Sequence, residues 1–265
     1  MIESFFQSLR REGVDYLLIS GQATVLYGAA VFSEDIDLWV KPAADNVNAF
    51  RDALASVRAT YYKLTPPLEV SYMLRGHGFH FRVPDAPDVY LDVMGQPPRV
   101  PAFDEVTASA AVMPTAWGDI PTIGIKHLAA LKTTQRLGDY PVISQLVLRY
   151  MESTDDPGVE DYRWAIDNLH TIDELEAFLR AFPDAVGVCE TEAPALARLA
   201  REACADAEIH DATRLNVERW LGERILFHMQ ADRNYWRAVI AELREMRSAG
   251  KLTRPSLPVE SADSA

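Results

Sequence analysis

The sequence predicts an α+β protein, with strands and helices interleaved in its first half and helices alone in its second half. Short apolar runs such as Tyr16-Leu17-Leu18-Ile19 are too brief for helices and alternate with amphipathic stretches. A polar break, Ser153-Thr154-Asp155-Asp156-Pro157-Gly158, is followed by segments of helical periodicity. We therefore expect a sheet-containing domain over residues 1–153, a helical domain over 154–248 and a disordered tail over 249–265.

The elements of the first domain follow from periodicity and from turn residues. β-branched and aromatic residues favour strands, whereas Pro and Gly mark the turns between them. In chain order, the predicted elements are a helix over 1–12, strands over 14–19 and 35–40, a crossover helix over 45–57, strands over 79–83 and 89–94 joined by a turn at 84–87, a short strand at 112–114, and a helix over 124–138.

The second domain is predicted to contain only helices. They lie at 159–169, 175–182, 193–205 and 216–246. Thr171-Ile172-Asp173-Glu174 has the capping-box pattern and opens the second of these helices. The last residues contain Pro255, Pro258 and many small polar side chains, which is typical of a disordered end.

The segment with the most chemical information is the turn Ser20-Gly21 followed by Asp35-Ile36-Asp37. Gly21 lets the backbone approach a ligand closely, and the N-terminus of the helix that follows it attracts phosphate. Residues i and i+2 of a strand share a face, so Asp35 and Asp37 point the same way. Such paired carboxylates are hard oxygen ligands for Mg²⁺. The alternatives are an ordinary turn glycine and a solvated strand end.

A third acid, Asp92, lies within the apolar and β-prone run Val89-Tyr90-Leu91-Asp92-Val93-Met94. An unpaired carboxylate there would be costly to bury, so it needs a metal ion or a basic group as a partner. The alternative is that Asp92 ends the strand and faces water.

The turn and the acids together resemble the nucleotidyltransferase superfamily that includes DNA polymerase beta, whose signature is a Gly-Ser or Gly-Gly turn followed by Asp-x-Asp. The chain is more similar to bacterial stand-alone nucleotidyltransferases, including abortive-infection toxins and their uncharacterised relatives. In those proteins the segment reads Gly-Gly-x-Ala, Tyr-Gly, Arg-x-Thr and Asp-Ile-Asp-Leu. The matching residues are Gly21, Ala23, Tyr27-Gly28 and Asp35-Ile36-Asp37-Leu38, while Ser20, Val31 and Ser33 replace Gly, Arg and Thr.

The resemblance implies a mixed sheet flanked by helices and transfer of a nucleoside monophosphate from an NTP to a hydroxyl acceptor. It implies that Asp35, Asp37 and Asp92 are the catalytic residues and hold two Mg²⁺ ions, with Asp92 near the attacking hydroxyl. Ser20, Gly21 and Gln22 would cradle the triphosphate. Relatives also carry a Lys on the helix after the sheet. Lys132 matches it, and Arg136 stands at i+4 on the same predicted helical flank, so both are expected to bind the nucleotide.

Composition narrows the expected partners. The formal charge is −13, which argues against a long non-specific nucleic-acid footprint. The two cysteines lack metal-ligand spacing, and there is no signal-like or membrane-length apolar segment, so we expect a cytoplasmic protein that does not bind membranes. His77 and His80 have no further ligands at metal spacing and are expected to form hydrogen bonds or to face substrate.

The acceptor is left open by the sequence: an RNA end such as that of a tRNA, a protein hydroxyl, or a small molecule such as an aminoglycoside. Two other classes of function also stay open. One is a degenerate module that binds or senses nucleotide without turnover, which the missing Arg at Val31 favours. The other is a toxin–antitoxin interaction protein that works through its acidic surface.

Overall fold

A mixed sheet with its helices forms one of the two units into which the structure divides. The structure is a computed structural model and describes residues 2–205 and 208–262. The first unit comprises residues 1–26, 30–131 and 235–265, and the second comprises 27–29 and 132–234. The predicted boundary between residues 153 and 154 therefore falls inside the second unit.

The first unit alternates strands with helices. Its elements are α1 (Ile2–Arg11), β1 (Tyr16–Ile19), α2 (Ser20–Leu26), β2 (Asp35–Val40), α3 (Ala44–Ser56), β3 (Thr60–Tyr61), α4 (Val70–Leu74), β4 (Gly78–Val83), β5 (Ala86–Met94), α5 (Phe103–Thr107), β6 (Ala111–Thr115), β7 (Gly118–Thr122) and α6 (Ile125–Lys132). The predicted strand over 35–40 is confirmed as β2, and the other strand predictions are confirmed to within a few residues at their ends.

Within the described residues, seven strands form one sheet in the order β3-β4-β5-β2-β1-β7-β6. The pairs β2–β5 and β1–β7 are parallel and the others are antiparallel, so the sheet is mixed. The α+β class is confirmed. Leu38 and Phe79 are fully buried, as are Phe5 and Phe50 on α1 and α3. This apolar packing stabilises the strands that carry the acidic residues.

The end of the chain is ordered as far as residue 262, so the predicted disorder is wrong for residues 249–262; residues 263–265 lie outside those that the structure describes. Residues 253–259, which we call the C-terminal strap, run along the edge of the sheet beside β3. The amide of Tyr61 donates to the carbonyl of Leu257 at 3.0 Å, and Thr65 and Thr253 exchange two backbone hydrogen bonds. Val259 is buried. Composition predicted disorder because it takes no account of an unpaired strand edge that can bind the segment.

The second unit is helical. Its elements are α7 (Asp139–Glu152), α8 (Val159–Asn168), α9 (Ile172–Ala181), α10 (Val186–Glu192), α11 (Pro194–Cys204) and α12 (Asp211–Ser248), of which α12 continues into the first unit. Its core is apolar and includes Phe178, Leu199 and Val217. No helix in the described ranges is both long enough and apolar enough to cross a membrane.

Candidate functional site

The register of four neighbouring strands brings two of the predicted acids side by side. Asp37 on β2 pairs with Asp92 on the parallel strand β5, and Asp92 pairs in turn with His80 on β4. On the other side Asp37 pairs with Ile19 of β1, the residue before Ser20. Registered partners point to the same face of a sheet and lie about 5 Å apart. We call the line His80–Asp92–Asp37 the carboxylate row.

Asp35 lies on the same face, one pair further along β2. It is paired with Tyr90 of β5, which is paired with Arg82 of β4. Asp35, Asp37 and Asp92 are all half-buried, while Ile36 on the opposite face of β2 is buried. The structure thus gathers all three predicted carboxylates on one accessible face, as the i and i+2 spacing indicated.

The Asp92 carboxylate is held by two donors. Its Oδ1 atom accepts a hydrogen bond from the Tyr62 hydroxyl at 2.8 Å and lies 2.8 Å from Nδ1 of His80. Burial raises the pKa of Asp92, but the hydrogen bond and charge of His80, the Tyr62 hydrogen bond and the charge of Lys63 outweigh it, so the pKa is lowered. Asp92 is therefore a stable anion. Among the described residues nothing hydrogen-bonds to its Oδ2 atom.

Aromatic rings and cations surround this carboxylate on the β4 and β5 side. The rings of Tyr62 and Tyr90 have their centroids 4.8 Å apart. Lys63 Nζ lies 4.6 Å from the Tyr62 ring centroid, and Arg82 Cζ lies 4.6 Å from that of Tyr90. We call Tyr62, Lys63, Arg82 and Tyr90 the tyrosine–cation cluster. The sequence alone does not predict this cluster, because the cluster depends on the strand order. The hydrogen-bonding role expected for His80 is confirmed, as is that for His77, whose Nε2 lies 2.8 Å from Glu242.

The predicted phosphate turn lies at the other end of the carboxylate row. Ser20 has a φ of 57°, a left-handed conformation that favours glycine. A Cβ atom on Gly21 would lie 2.2 Å from Ser33 Oγ. The Gln22 side-chain amide donates to the Ser33 carbonyl at 2.8 Å. The turn is therefore fastened to the residues that lead into β2.

A cavity of about 340 Å³ adjoins this turn. Its lining includes Gln22, Phe32, Ser33, Tyr90 and Trp117. The volume is at the lower end of the range for small-molecule sites. A larger cavity, of about 540 Å³, lies in the second unit, where Trp220 and Arg219 are among the lining residues. Of these two cavities, only the first adjoins a residue that the sequence predicts for nucleotide chemistry, Gln22. Its lining includes Ile36, on the opposite face of β2 from Asp35 and Asp37, and none of the three acids.

The helix predicted over 124–138 is wrong beyond Lys132, where α6 ends. The Thr134 hydroxyl donates to Asp139 Oδ2 at 2.6 Å and accepts from the Arg136 amide at 3.0 Å, and such local bonds compete with helix formation. Arg136 therefore does not share a helical flank with Lys132. Lys132 is nearly buried and forms an ion pair with Asp139 at 3.4 Å. Nucleotide binding by Lys132 and Arg136 stays a prediction.

The residues of the carboxylate row could supply some of the oxygen ligands of a Mg²⁺ ion, and water and substrate phosphates would supply the others. In the described ranges no group of three or more His, Cys, Asp or Glu side chains is placed so that it could hold a metal ion by itself, and this includes Asp35, Asp37 and Asp92. Mg²⁺, however, is usually held by one or two carboxylates together with water and substrate phosphates rather than by an all-protein cage. Asp37 and Asp92 lie in direct register and supply two carboxylates, and Asp35 lies beside them on the same face.

Comparison with known proteins gives no family: no protein-family model matches the chain, and no curated protein is similar to it. The function is therefore inferred from the geometry and chemistry of the carboxylate row and of Asp35 beside it.

Proposed function

We propose that the protein is a metal-dependent nucleotidyltransferase that transfers a nucleoside monophosphate from an NTP to a hydroxyl acceptor. One observation carries this proposal: Asp37 and Asp92 are registered neighbours, with Asp35 on the same face, in a row that ends at the Ser20-Gly21 turn. Carboxylates gathered on one accessible face are hard oxygen ligands, which favours a site for divalent cations.

In the proposed reaction the acceptor hydroxyl loses its proton to solvent water and its oxygen forms a bond to the α-phosphorus. The bond from that phosphorus to the β-phosphate oxygen breaks, and pyrophosphate leaves. Asp35, Asp37 and Asp92 would hold two Mg²⁺ ions, which supply positive charge for the α-phosphate and the leaving pyrophosphate. Asp92 is fixed by Tyr62 and His80, and its lowered pKa makes it a better ligand than proton acceptor. The Tyr62 hydroxyl stays protonated, because burial and its bond to Asp92 raise its pKa.

The turn would receive the triphosphate. Backbone amides that follow Gly21 are suited to bind phosphate oxygens. Ser20, Gly21 and Gln22 are proposed as the residues of this nucleotide site.

A nucleotide-binding module without turnover is the second candidate. Val31 stands where the nucleotidyltransferases that the chain resembles carry Arg, and its exposed apolar side chain has no group that could bind phosphate. This candidate predicts binding of NTP and Mg²⁺ with no transfer to any acceptor.

Thermal melts test the nucleotide and metal site directly. Mg²⁺ with a non-hydrolysable NTP analogue should raise the melting temperature of the wild type and not that of Asp37→Asn, because a ligand stabilises only the protein that binds it. Asp119→Asn is the matched control, since Asp119 is an exposed acid on β7 of the same sheet. An equal rise in wild type and Asp37→Asn would place the ligand elsewhere and refute the proposed site.

A further inference from the structure

The strand order separates the two ends of the carboxylate row. β1 leads into the Ser20-Gly21 turn at one end, while β4 and β5 carry His80, Arg82 and Tyr90 at the other end. If the turn binds the triphosphate, a second substrate reaches Asp92 from the β4 side. The tyrosine–cation cluster lies on that side, so its chemistry bears on the second substrate.

The two cations of the cluster are exposed and are not held in ion pairs by acids of the described residues. Neither Lys63 nor Arg82 forms an ion pair with any described residue, although many other arginines do, including Arg75 with Glu242 at 3.1 Å. Both side chains are exposed. The charge of Lys63 acts on Asp92 and contributes to the lowered pKa of that carboxyl. Two exposed positive charges therefore stand beside the carboxylate row.

The tyrosines hold these cations in place. Tyr62 is anchored by its hydroxyl to Asp92, and the Tyr90 hydroxyl accepts a hydrogen bond from Arg82 Nη2 at 2.6 Å. Each cation also lies over a ring face, an attraction that restrains flexible side chains. Restrained cations lose less conformational entropy when they bind an anion.

We propose that the tyrosine–cation cluster binds the phosphate of the acceptor, so that the acceptor is a small phosphorylated hydroxyl compound such as a sugar phosphate. This inference rests on the proposed function, because it assigns the acceptor of that same site. The ionised Asp92 carboxylate repels an anionic substrate, and Lys63 and Arg82 offset that repulsion at the side from which the acceptor arrives. A cationic acceptor such as an amino sugar would be repelled by the cluster.

The charge of the whole chain favours a small acceptor over a polynucleotide. The net charge is −13, and a long polyanion needs an extended basic surface. The cluster supplies two cations, enough for one phosphate group.

Calorimetric titration with ribose 5-phosphate, ribose and glucosamine tests this subsite without any turnover. The wild type should bind ribose 5-phosphate more tightly than ribose or glucosamine. Lys63→Gln/Arg82→Gln should weaken ribose 5-phosphate binding about fivefold or more, as expected for the loss of two exposed charge contacts. Arg58→Gln/Lys251→Gln also removes two exposed cations and should bind as the wild type does.

Two parallel titrations show whether the cluster binds the phosphate of a small acceptor, the phosphates of the NTP or those of an RNA. Neither double variant should change the affinity for a non-hydrolysable NTP analogue with Mg²⁺, and a short single-stranded RNA should bind no more tightly than ribose 5-phosphate. The inference is overturned if the cluster variant weakens NTP analogue binding, if only RNA binding depends on the cluster, or if ribose 5-phosphate binds all variants equally. Label transfer from an NTP tests the proposed function separately, so the two failures are distinguishable.

Discussion

Asp92 shows how neighbouring side chains determine the chemistry of a single carboxylate. In sequence it is an acid within an apolar strand that requires a partner. In the structure its partners are Tyr62 and His80, which bind the same oxygen atom. The other oxygen accepts no hydrogen bond from the described residues. Asp92 is therefore ionised and oriented, as a ligand for a cation must be.

Gly21→Ala should destabilise the protein by about 1–3 kcal/mol, which is the usual cost of overpacking. The added methyl group would lie 2.2 Å from Ser33 Oγ and 2.9 Å from Ser33 Cβ. Ser33→Gly in the same chain should recover part of this loss, because it removes both atoms. Chemical denaturation of the two single variants and the double variant measures the coupling. Additive losses would show that the two residues do not touch.

His170 should make stability depend on pH below neutrality. Burial lowers its pKa from 6.5 to about 3, with smaller effects from the charges of Arg224 and His228. The unfolded chain therefore binds one more proton than the folded chain between these values. This contribution is complete above about pH 6.5 and is lost as the pH falls toward 3, by at most ~1.4 kcal/mol per pH unit.

Denaturant unfolding of the wild type and His170→Gln at pH 7 and pH 4.5 measures this effect. Gln does not titrate, so the variant should lose less stability on acidification than the wild type. Equal losses would mean that other groups cause the acid sensitivity.

The acidic residues of the site were predictable from the sequence, and their neighbours were not. The spacing of Asp35 and Asp37 fixes their common face within one strand. Their proximity to Tyr62, Lys63 and Arg82 depends on which strands pair and in what register, and long-range pairing has no local signal. The positions that sequence reasoning missed are therefore those that only the strand order brings together.

At the scale of elements, the C-terminal strap secures the edge strand that precedes Tyr62. Backbone hydrogen bonds join it to Tyr61 and Thr65, on either side of Tyr62, and Tyr62 itself donates its amide to the His80 carbonyl at 3.2 Å. The strap thus supports the backbone that carries one of the two donors to Asp92.

Truncation after Gly250 should lower the melting temperature and expose the amides of Tyr61 and Thr65 to exchange, because their acceptors Leu257 and Thr253 are removed. Hydrogen exchange with mass spectrometry on peptides that cover residues 59–65 measures this. Truncation after Ala262 keeps the strap and is the control. Unchanged protection in the shorter chain would show that the strap does not hold this edge.

Helix ends were the least predictable elements. The apolar spacing that predicted this helix ends at Leu131, and the prediction carried the helix on to residue 138. The helix instead ends at Lys132. Just beyond it, the Thr134 hydroxyl donates a hydrogen bond to Asp139 and accepts one from the Arg136 amide. Such local polar competition is poorly visible to an analysis of apolar spacing.

At the scale of the whole molecule, the charge distribution limits which substrates can approach. A net charge of −13 repels anions at long range, so the proposed NTP substrate would reach the site as a complex with Mg²⁺ or through local cations. The carboxylate row would hold such cations, and the tyrosine–cation cluster supplies positive charge at one end of it. This combination favours transfer chemistry on phosphates over binding of extended nucleic acid.

The central claim is that the carboxylate row transfers a nucleoside monophosphate. The most direct test is incubation of the protein with Mg²⁺, a cell extract and an NTP labelled either at the α- or at the γ-phosphate, for each of the four NTPs. Label from the α-position should appear on an acceptor, label from the γ-position should leave as pyrophosphate, and Asp37→Asn should abolish transfer while Asp119→Asn does not. Transfer of the γ-label, or α-label transfer that survives in Asp37→Asn, would contradict the claim.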